Sequence, residues 1–474
     1  MEVEARGLNP YPRMKDSGVP WLGEVPEHWE VRGLRHLLRR VTERNRPDLP
    51  LLSVVREKGV ILRDRVGGGE NHNFIPDDLS NYKVVRVGQF AMNKMKAWQG
   101  SYGVSDHHGI VSPAYFVFDL DQVDGKFFHA AIRSRAYVPF FGQASDGIRI
   151  GQWDLSEARM REIPFFVPSR LEQEAILRFI EHVDRQVGRH IGAKQKLIKL
   201  LDEQKQTIIN RAVVRGLDAN SSLRPSGVEW LGDLPDHWDL SALRRNWEVV
   251  DCKHLTVPFT DEGLPLASVR EAQHFELSLD GANRTTRAWR EVLVEGGRQP
   301  KRGDLIYCRN VSVGAAAIVV TDDEFAMGQD VCLIRSRKQN QRWLNYFLHS
   351  RAMAEQLAEI LVGSTFKRIN VADIKALLVP VPPRHEQDRI VDYLDGQMAR
   401  INLVVQRAND SQRLMREYRT RLIADIATGK LDVREAAAQL PGEIDEVEDV
   451  DEADETEHAD SEMDERLDSE EVGT

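Results

Sequence analysis

Downstream of Pro168, seam positions recur at alternating steps of four and three: Ile176, Ile180, Val183, Val187, His190, Lys194, Leu197, Leu201, Gln204 and Ile208. Downstream of Pro382 and Pro383 the cadence returns as Ile390, Leu394, Gln397, Ile401, Val404, Ala408, Ser411, Met415, Tyr418 and Leu422. That step keeps one stripe of an α-helix facing one way, which is the seam of a coiled coil. The prolines suit a helix start, and Gly216 and Gly429 suit the ends. Each pattern predicts a helix of about 40 residues, or about 60 Å. A seam this long outruns what a small domain covers, so the two helices are expected to pack on each other. The chain order is domain, helix, domain, helix, so the second helix must return antiparallel to the first. Polar seam positions such as Lys194 and Gln397 then fix the register.

The stretches before each long helix have a different texture. Tyr115-Phe116-Val117-Phe118, Leu305-Ile306-Tyr307-Cys308 and the run from Ala315 to Val320 read as short strands bounded by Gly, Asp and Pro. The segments 126–135 and 342–360 read as amphipathic helices. The fold class is α+β: two mixed heads, 32–165 and 241–380, joined by two long helices in an antiparallel coiled coil.

The chain contains itself twice. Ser17-Gly18-Val19-Pro20-Trp21-Leu22-Gly23-Glu24-Val25-Pro26-Glu27-His28-Trp29 returns, offset by 209, as Ser226-Gly227-Val228-Glu229-Trp230-Leu231-Gly232-Asp233-Leu234-Pro235-Asp236-His237-Trp238. Further on, Pro168, Glu172, Gln173, Ile176, Leu200, Glu203, Ile209, Leu217 and Asp218 return at an offset of 214, from Pro382, Glu386, Gln387 and Ile390 to Asp432. Between these matches little aligns beyond Val87-Gly88-Gln89-Phe90 with Arg302-Gly303-Asp304-Leu305. A repeated frame (1–31 with 219–240, and 166–218 with 381–432) thus encloses divergent contents, which predicts pseudo-twofold symmetry and two heads that read different things.

Charge changes the picture only after it is divided. The chain carries a net charge of −11, but residues 442–474 alone hold 17 acidic residues and one Arg, so residues 1–441 are at +5. The body is compatible with nucleic acid, and the segment 433–474 reads as an acidic, disordered tail. No apolar run approaches the ~18 residues of a membrane helix, and no signal-peptide pattern opens the sequence. Cys252, Cys308 and Cys332 are too few and too scattered for a disulfide framework or a tetrahedral zinc site. Membrane and secreted classes are excluded, and the cytoplasm is the expected compartment.

Enzyme chemistry is not legible. Gly67-Gly68-Gly69-Glu70 lacks the spacing of a phosphate-cradling loop, and no G-x-S-x-G motif occurs. Two clusters instead have the side chains of nucleic-acid recognition. In the first head they are Lys94, Lys96, Gln99, Ser101 and Tyr102, between Asn93 and Ser105, with Arg149 in a second loop. In the second head they are Arg309, Asn310 and Ser312, then Thr365, Lys367 and Arg368. Amides can hold adenine edges, while Lys and Arg suit guanine or phosphate. Lys94 stands opposite Arg309 at an offset of 215. A rod of about 60 Å bounds the spacing of two such readers at under about 18 base pairs of B-DNA. The alternative is a two-headed coiled-coil adaptor that reads proteins.

The duplicated Ser-Gly-Val-x-Trp-Leu-Gly-x-x-Pro-x-His-Trp opening resembles the DNA-specificity subunits of Type I restriction–modification enzymes. So do the paired Pro-x-x-x-Glu-Gln-x-x-Ile helix starts, Asn93–Trp98 followed by Gly109–Tyr115, and Gly303-Asp304-Leu305 leading to Gly328–Val331. The likeness spans about residues 8–432. It implies two target-recognition domains, each reading half of an asymmetric bipartite site in double-stranded DNA, with the paired helices setting the gap. It also implies no catalysis and no cofactor in this chain. Two modification subunits would bring S-adenosylmethionine and methylate adenine N6, and two restriction subunits would use ATP and Mg2+. The acidic tail departs from the family frame.

Overall fold

The computed structural model describes residues 8–19, 21–56, 58–63, 76, 78–147, 153–361 and 368–441. It divides into two compact units that cut across the long helices. One unit takes the chain up to Lys194 together with the part from Asp410 onward, and the other takes Gln195–Asn409. Each unit therefore holds one head, one half of each long helix and one copy of the Trp-bearing frame. The long-helix segments 166–218 and 381–432 are thus each shared between the two units.

The long helices run Arg170–Arg215 and Arg384–Ala427. In the first unit Ile176, Phe179, Ile180, Val183 and Val187 share a core with Leu422 and Ile426, and Asp184 holds Arg419 at 2.7 Å. In the second unit Ile209, Ala212 and Val213 share a core with Ile390, Val391 and Leu394. The start of one helix thus meets the end of the other in each unit, as antiparallel neighbours do.

The seam follows many of the expected residues and slips at others, Tyr418 near one end among them, which is 37% exposed. Ile401 is buried and Leu201, Ile208 and Met415 are half-buried, but Leu197 and Val404 are 37% and 41% exposed. Burial passes instead through Ile198 and Val405, and Gln412 is buried where Ser411 was expected to lead. An α-helix advances 3.6 residues per turn against the 3.5 of a strict heptad, so the buried stripe drifts by about 20° per heptad. Leu197-Ile198 and Val404-Val405 are each two apolar neighbours, and drift selects the second of each pair.

Each frame is built on its tryptophan. Trp29 donates its indole N–H to Glu172 at 3.0 Å, and His28 Nε2 lies 2.9 Å from the other oxygen of that carboxylate. Trp238 donates to Glu386 at 2.9 Å, with His237 Nε2 at 2.7 Å. The neighbouring glutamines act alike. Gln173 accepts from the Asp124 amide and donates to the Pro168 carbonyl, while Gln387 accepts from the Asn340 amide and donates to the Pro382 carbonyl. Asp124 and Asn340 are themselves the N-caps of helices Gly125–Ile132 and Gln341–Leu348. The Glu-Gln pair opening each long helix therefore ties that helix to its head.

The other face of each tryptophan meets the end of the other helix. Gly429, at φ 77°, lies so close that a Cβ there would come within 3.1 Å of Trp29 and 2.4 Å of Pro26. Gly216, at φ 72°, would bring a Cβ to 3.1 Å from Trp238. Glycine is needed at both stops for the left-handed turn and for the ring beside it.

Candidate nucleic-acid interface

Both heads are organised around a four-stranded antiparallel sheet in one order. In the first it is Leu38–Val41, Phe116–Leu120, Phe90–Met92, Tyr102–Val104. In the second it is Glu248–Asp251, Val331–Arg335, Leu305–Cys308, Ala316–Ile318. Phe90 pairs with Val104 and Met92 with Tyr102; Leu305 pairs with Ile318 and Tyr307 with Ala316. The shared register makes Lys94 and Arg309 equivalent, as the offset of 215 predicts. Their carbonyls do the same work: Lys94 accepts from the Leu155 amide at 3.1 Å, and Arg309 accepts from Ile369 at 2.9 Å.

Around these two positions the heads part company. Lys94 is partly exposed and pairs with Asp154 at 2.8 Å. Lys96 is exposed and makes no ion pair among the described residues, and Gln99 is half-buried. Trp98 lies beside Trp153, with ring centroids 5.1 Å apart. This loop therefore offers ammonium, amide and indole groups together.

Two residues of that cluster are turned inward. Tyr102 is fully buried against Phe141 and Phe90, and Ser101 is 3% exposed, with its backbone closing the loop onto Asn93 and Lys96. The cause is that both faces of the sheet are covered: Phe90, Met92 and Phe118 enter one core, Ala91 and Val117 another. A residue in the strand beside them has no solvent face to offer. The Tyr102 hydroxyl has no hydrogen-bond partner among the described residues, so Tyr102→Phe is expected to leave DNA affinity unchanged and stability equal or up to about 1 kcal/mol higher. Filter binding and urea denaturation of that variant check both; a loss of affinity returns Tyr102 to the interface.

In the second head Arg309 is also inward, with its side chain 6% exposed. It is paired to Asp251 and lies 3.3 Å from His254 Nε2. As placed, it anchors the loop rather than presenting a guanidinium to solvent. Asn310 bridges to Arg368, which is exposed, and Ser312 accepts from Gln273 at 3.0 Å. Arg149, Thr365 and Lys367 lie outside the described residues.

The sequence reading overlooked the neighbourhood of Arg309. Asp251, Cys252 and His254 bring potential ligand atoms within 4.8 Å of one another. His254 faces Cys252 Sγ with Nδ1 at 3.4 Å and Asp251 with Nε2 at 3.0 Å. One cation cannot take both nitrogens of one ring, and Arg309 already supplies the positive charge on Asp251. Nor is a reactive thiol present, because burial pushes the Cys252 thiol up and the Cys308 thiol up to about 12. Asp251 and His254 were findable only as polar residues at the end of a strand.

Comparison with known proteins bears on the same regions. The family model described as the Type I restriction modification DNA specificity domain matches residues 298–409. A protein assigned as the MjaX type I restriction enzyme specificity subunit of Methanocaldococcus jannaschii is 18% identical over 442 residues, covering 87% of this chain and 96% of its own length. The MjaVIII specificity subunit of that organism is 20% identical over 284 residues, 56% of this chain and 62% of its own. A chain from structural work on complex assembly and conformational transition of the type I R-M system has a TM-score of 0.60 at 16% identity, covering 86% of this chain and 99% of its own. That last likeness is one of fold. Among the described residues no helix is long and apolar enough to cross a membrane.

Proposed function

We propose that this chain, a specificity subunit of the Type I restriction–modification class, recognises double-stranded DNA by reading one half of a bipartite site with each head. The observation that carries the reading is the matched register of two sheets with different loops on them. Lys94, Lys96, Gln99, Trp98 and Trp153 stand in one head where Asn310, Ser312 and Arg368, around the anchor Arg309, stand in the other. Equivalent scaffolds place readers at equivalent places, and different side chains there select different bases. The long helices set the gap between the half-sites.

On this reading the chain supplies recognition and its partners supply chemistry. Two modification subunits bring S-adenosylmethionine and methylate adenine, and two restriction subunits bring ATP and Mg2+, all in the cytoplasm. The flipped base is held in the partner's pocket. The test is to co-express the chain with its modification subunit in a methylation-free host and map N6-methyladenine. One motif with two specified halves, a fixed gap and a methylated adenine on each strand is the expected result. A complex that forms and methylates no motif overturns the reading in favour of a protein-reading adaptor, whose binding would not fall steeply as salt rises.

A further inference from the structure

Among the described residues five that are not glycine have positive φ, and three of these surround Arg309: His254 at 52°, Val311 at 60° and Asp330 at 65°. His254 Nε2 lies 3.3 Å from the guanidinium, Asp330 accepts from the Arg309 amide at 2.8 Å, and Val311 stands two places along the chain. Val311 is the one β-branched member of the set, and for such a residue this backbone region is an outlier. Ser312 donates its amide to the Asn310 carbonyl at 2.7 Å and closes a three-residue turn on Val311. With φ at 60° this is the rare, strained form of that turn.

The turn is held from both sides. Asn310 Oδ1 accepts from the Val311 amide at 3.0 Å, and Asn310 bridges to Arg368. Ser312 accepts from Gln273 at 3.0 Å, and Arg309 is tied to Asp251. No burial of its own side chain offsets the strain, since Val311 is 72% exposed. Strain that the surroundings enforce collects at sites that meet a ligand. An apolar side chain held out between two polar neighbours is presented rather than packed.

The first head gives this position a counterpart. Met92 and Tyr307 are equivalent in the two sheets, and four residues beyond them stand Lys96 and Val311. Lys96 is exposed, with φ at −118°. The same step from the same strand thus carries an ammonium in one head and an isopropyl group in the other. An isopropyl group can hydrogen-bond to neither a phosphate nor the polar edge of a base. The apolar feature that the major groove offers is the C5 methyl of thymine.

We propose that Val311 is a specificity-determining residue of the second head, whose isopropyl group meets the C5 methyl of one thymine in its half-site. This rests on the DNA-recognition reading. The enforced turn holds the side chain in place before DNA arrives, so binding costs little ordering at this contact.

The test uses the full chain with its modification subunit, and a duplex carrying the methylated motif as the probe. Each thymine of the motif is replaced in turn by deoxyuridine, which removes the methyl group alone, and affinity is measured by filter binding. In the parent, one replacement in the second head's half-site is expected to weaken binding roughly fourfold, about the worth of one buried methyl group. In Val311→Asn and Val311→Gly that position is expected to become indifferent to the methyl, with the intact site bound roughly fourfold more weakly. Asn and Gly both accept the left-handed backbone, so the melting temperature should hold or rise. A fall in melting temperature that parallels the loss of affinity makes Val311 structural and overturns the proposal. Parent-like discrimination in both variants, or a motif in which no thymine methyl matters, overturns it too and leaves the DNA reading standing. A parent that binds no duplex even at low salt overturns that reading, and the thymine contact with it.

Discussion

Trp29→Ala is expected to destabilise the unit that contains it by about 3–5 kcal/mol, the range for deleting a large buried aromatic. The side chain is 1% exposed and packs edge-on to Phe127 at 6.2 Å and to Tyr11 at 6.1 Å. Its loss also takes the indole donor from Glu172, a 4% exposed carboxylate that His28 also meets. Because the ring stands between the start of one long helix and the Gly429 end of the other, the change loosens both at once. Trp238→Ala is expected to do the same to the other unit through Glu386 and Gly216. Trp29→Phe retains most of the packing and loses the indole donor, so its effect should be smaller, about 1.5–3 kcal/mol for a hydrogen bond to a charged group. Hydrogen exchange resolved along the chain separates the cases: protection should fall within residues 8–194 and 410–441 for Trp29→Ala, and within 195–409 for Trp238→Ala. Uniform loss in both units, or a change under about 0.5 kcal/mol, would remove the tryptophans from the centre of the frame.

That frame was visible in the sequence as a repetition without a reason. Trp29 and Glu172 stand 143 residues apart, and nothing local says that the indole of one serves the carboxylate of the other. The repetition was the signal, since two polar residues that recur with a helix start are held by the same partners twice. The helix ends were legible for a nearer reason. Gly216 and Gly429 need a backbone that other residues avoid, which is a property of one position. The middle of the seam was not, because Val404 and Val405 are equally apolar and the choice between them lies in the helix pitch.

The heads divide in the same way. The equivalence of Lys94 and Arg309 followed from the offset, and the strand register agrees with it. Their surroundings did not follow. Arg309 turns inward to Asp251, 58 residues earlier, which ends a strand two places across the sheet, with Val331–Arg335 between them. Tyr102 is hidden because the sheet is covered on both faces, which removes the alternation that marks an exposed side. A cluster of basic, amide and aromatic residues points to a loop, but burial within it is decided by what packs on the loop from elsewhere.

If each head reads one half-site, as proposed, exchanging one head is expected to change one half of the recognised site and leave the other half and the gap as they were. The strand pairings say where to cut. Asp239–Ala242 pairs along its whole length with Leu378–Val381, so the exchanged piece should run from 239 to 381 and carry both strands from one parent. A cut at 241 and 380 would divide both strands between parents and break the sheet that closes the head. Trp238 and the Glu386-Gln387 pair then stay with the recipient, and the donor head meets the frame through its own helix N-cap, in the place of Asn340. Affinity for the original site should fall about 10³-fold or more, toward non-specific binding, since each mismatched base pair costs about 1–3 kcal/mol and a half-site holds several. Methylation mapping of the exchanged protein reads the outcome directly. A new half-site joined to the old one at the old spacing means that each sheet reads alone and the helices measure. A changed gap, or changes in both halves, would mean that recognition is shared between the heads, and the matched registers would then be a relic of duplication rather than the device that separates reading from measuring.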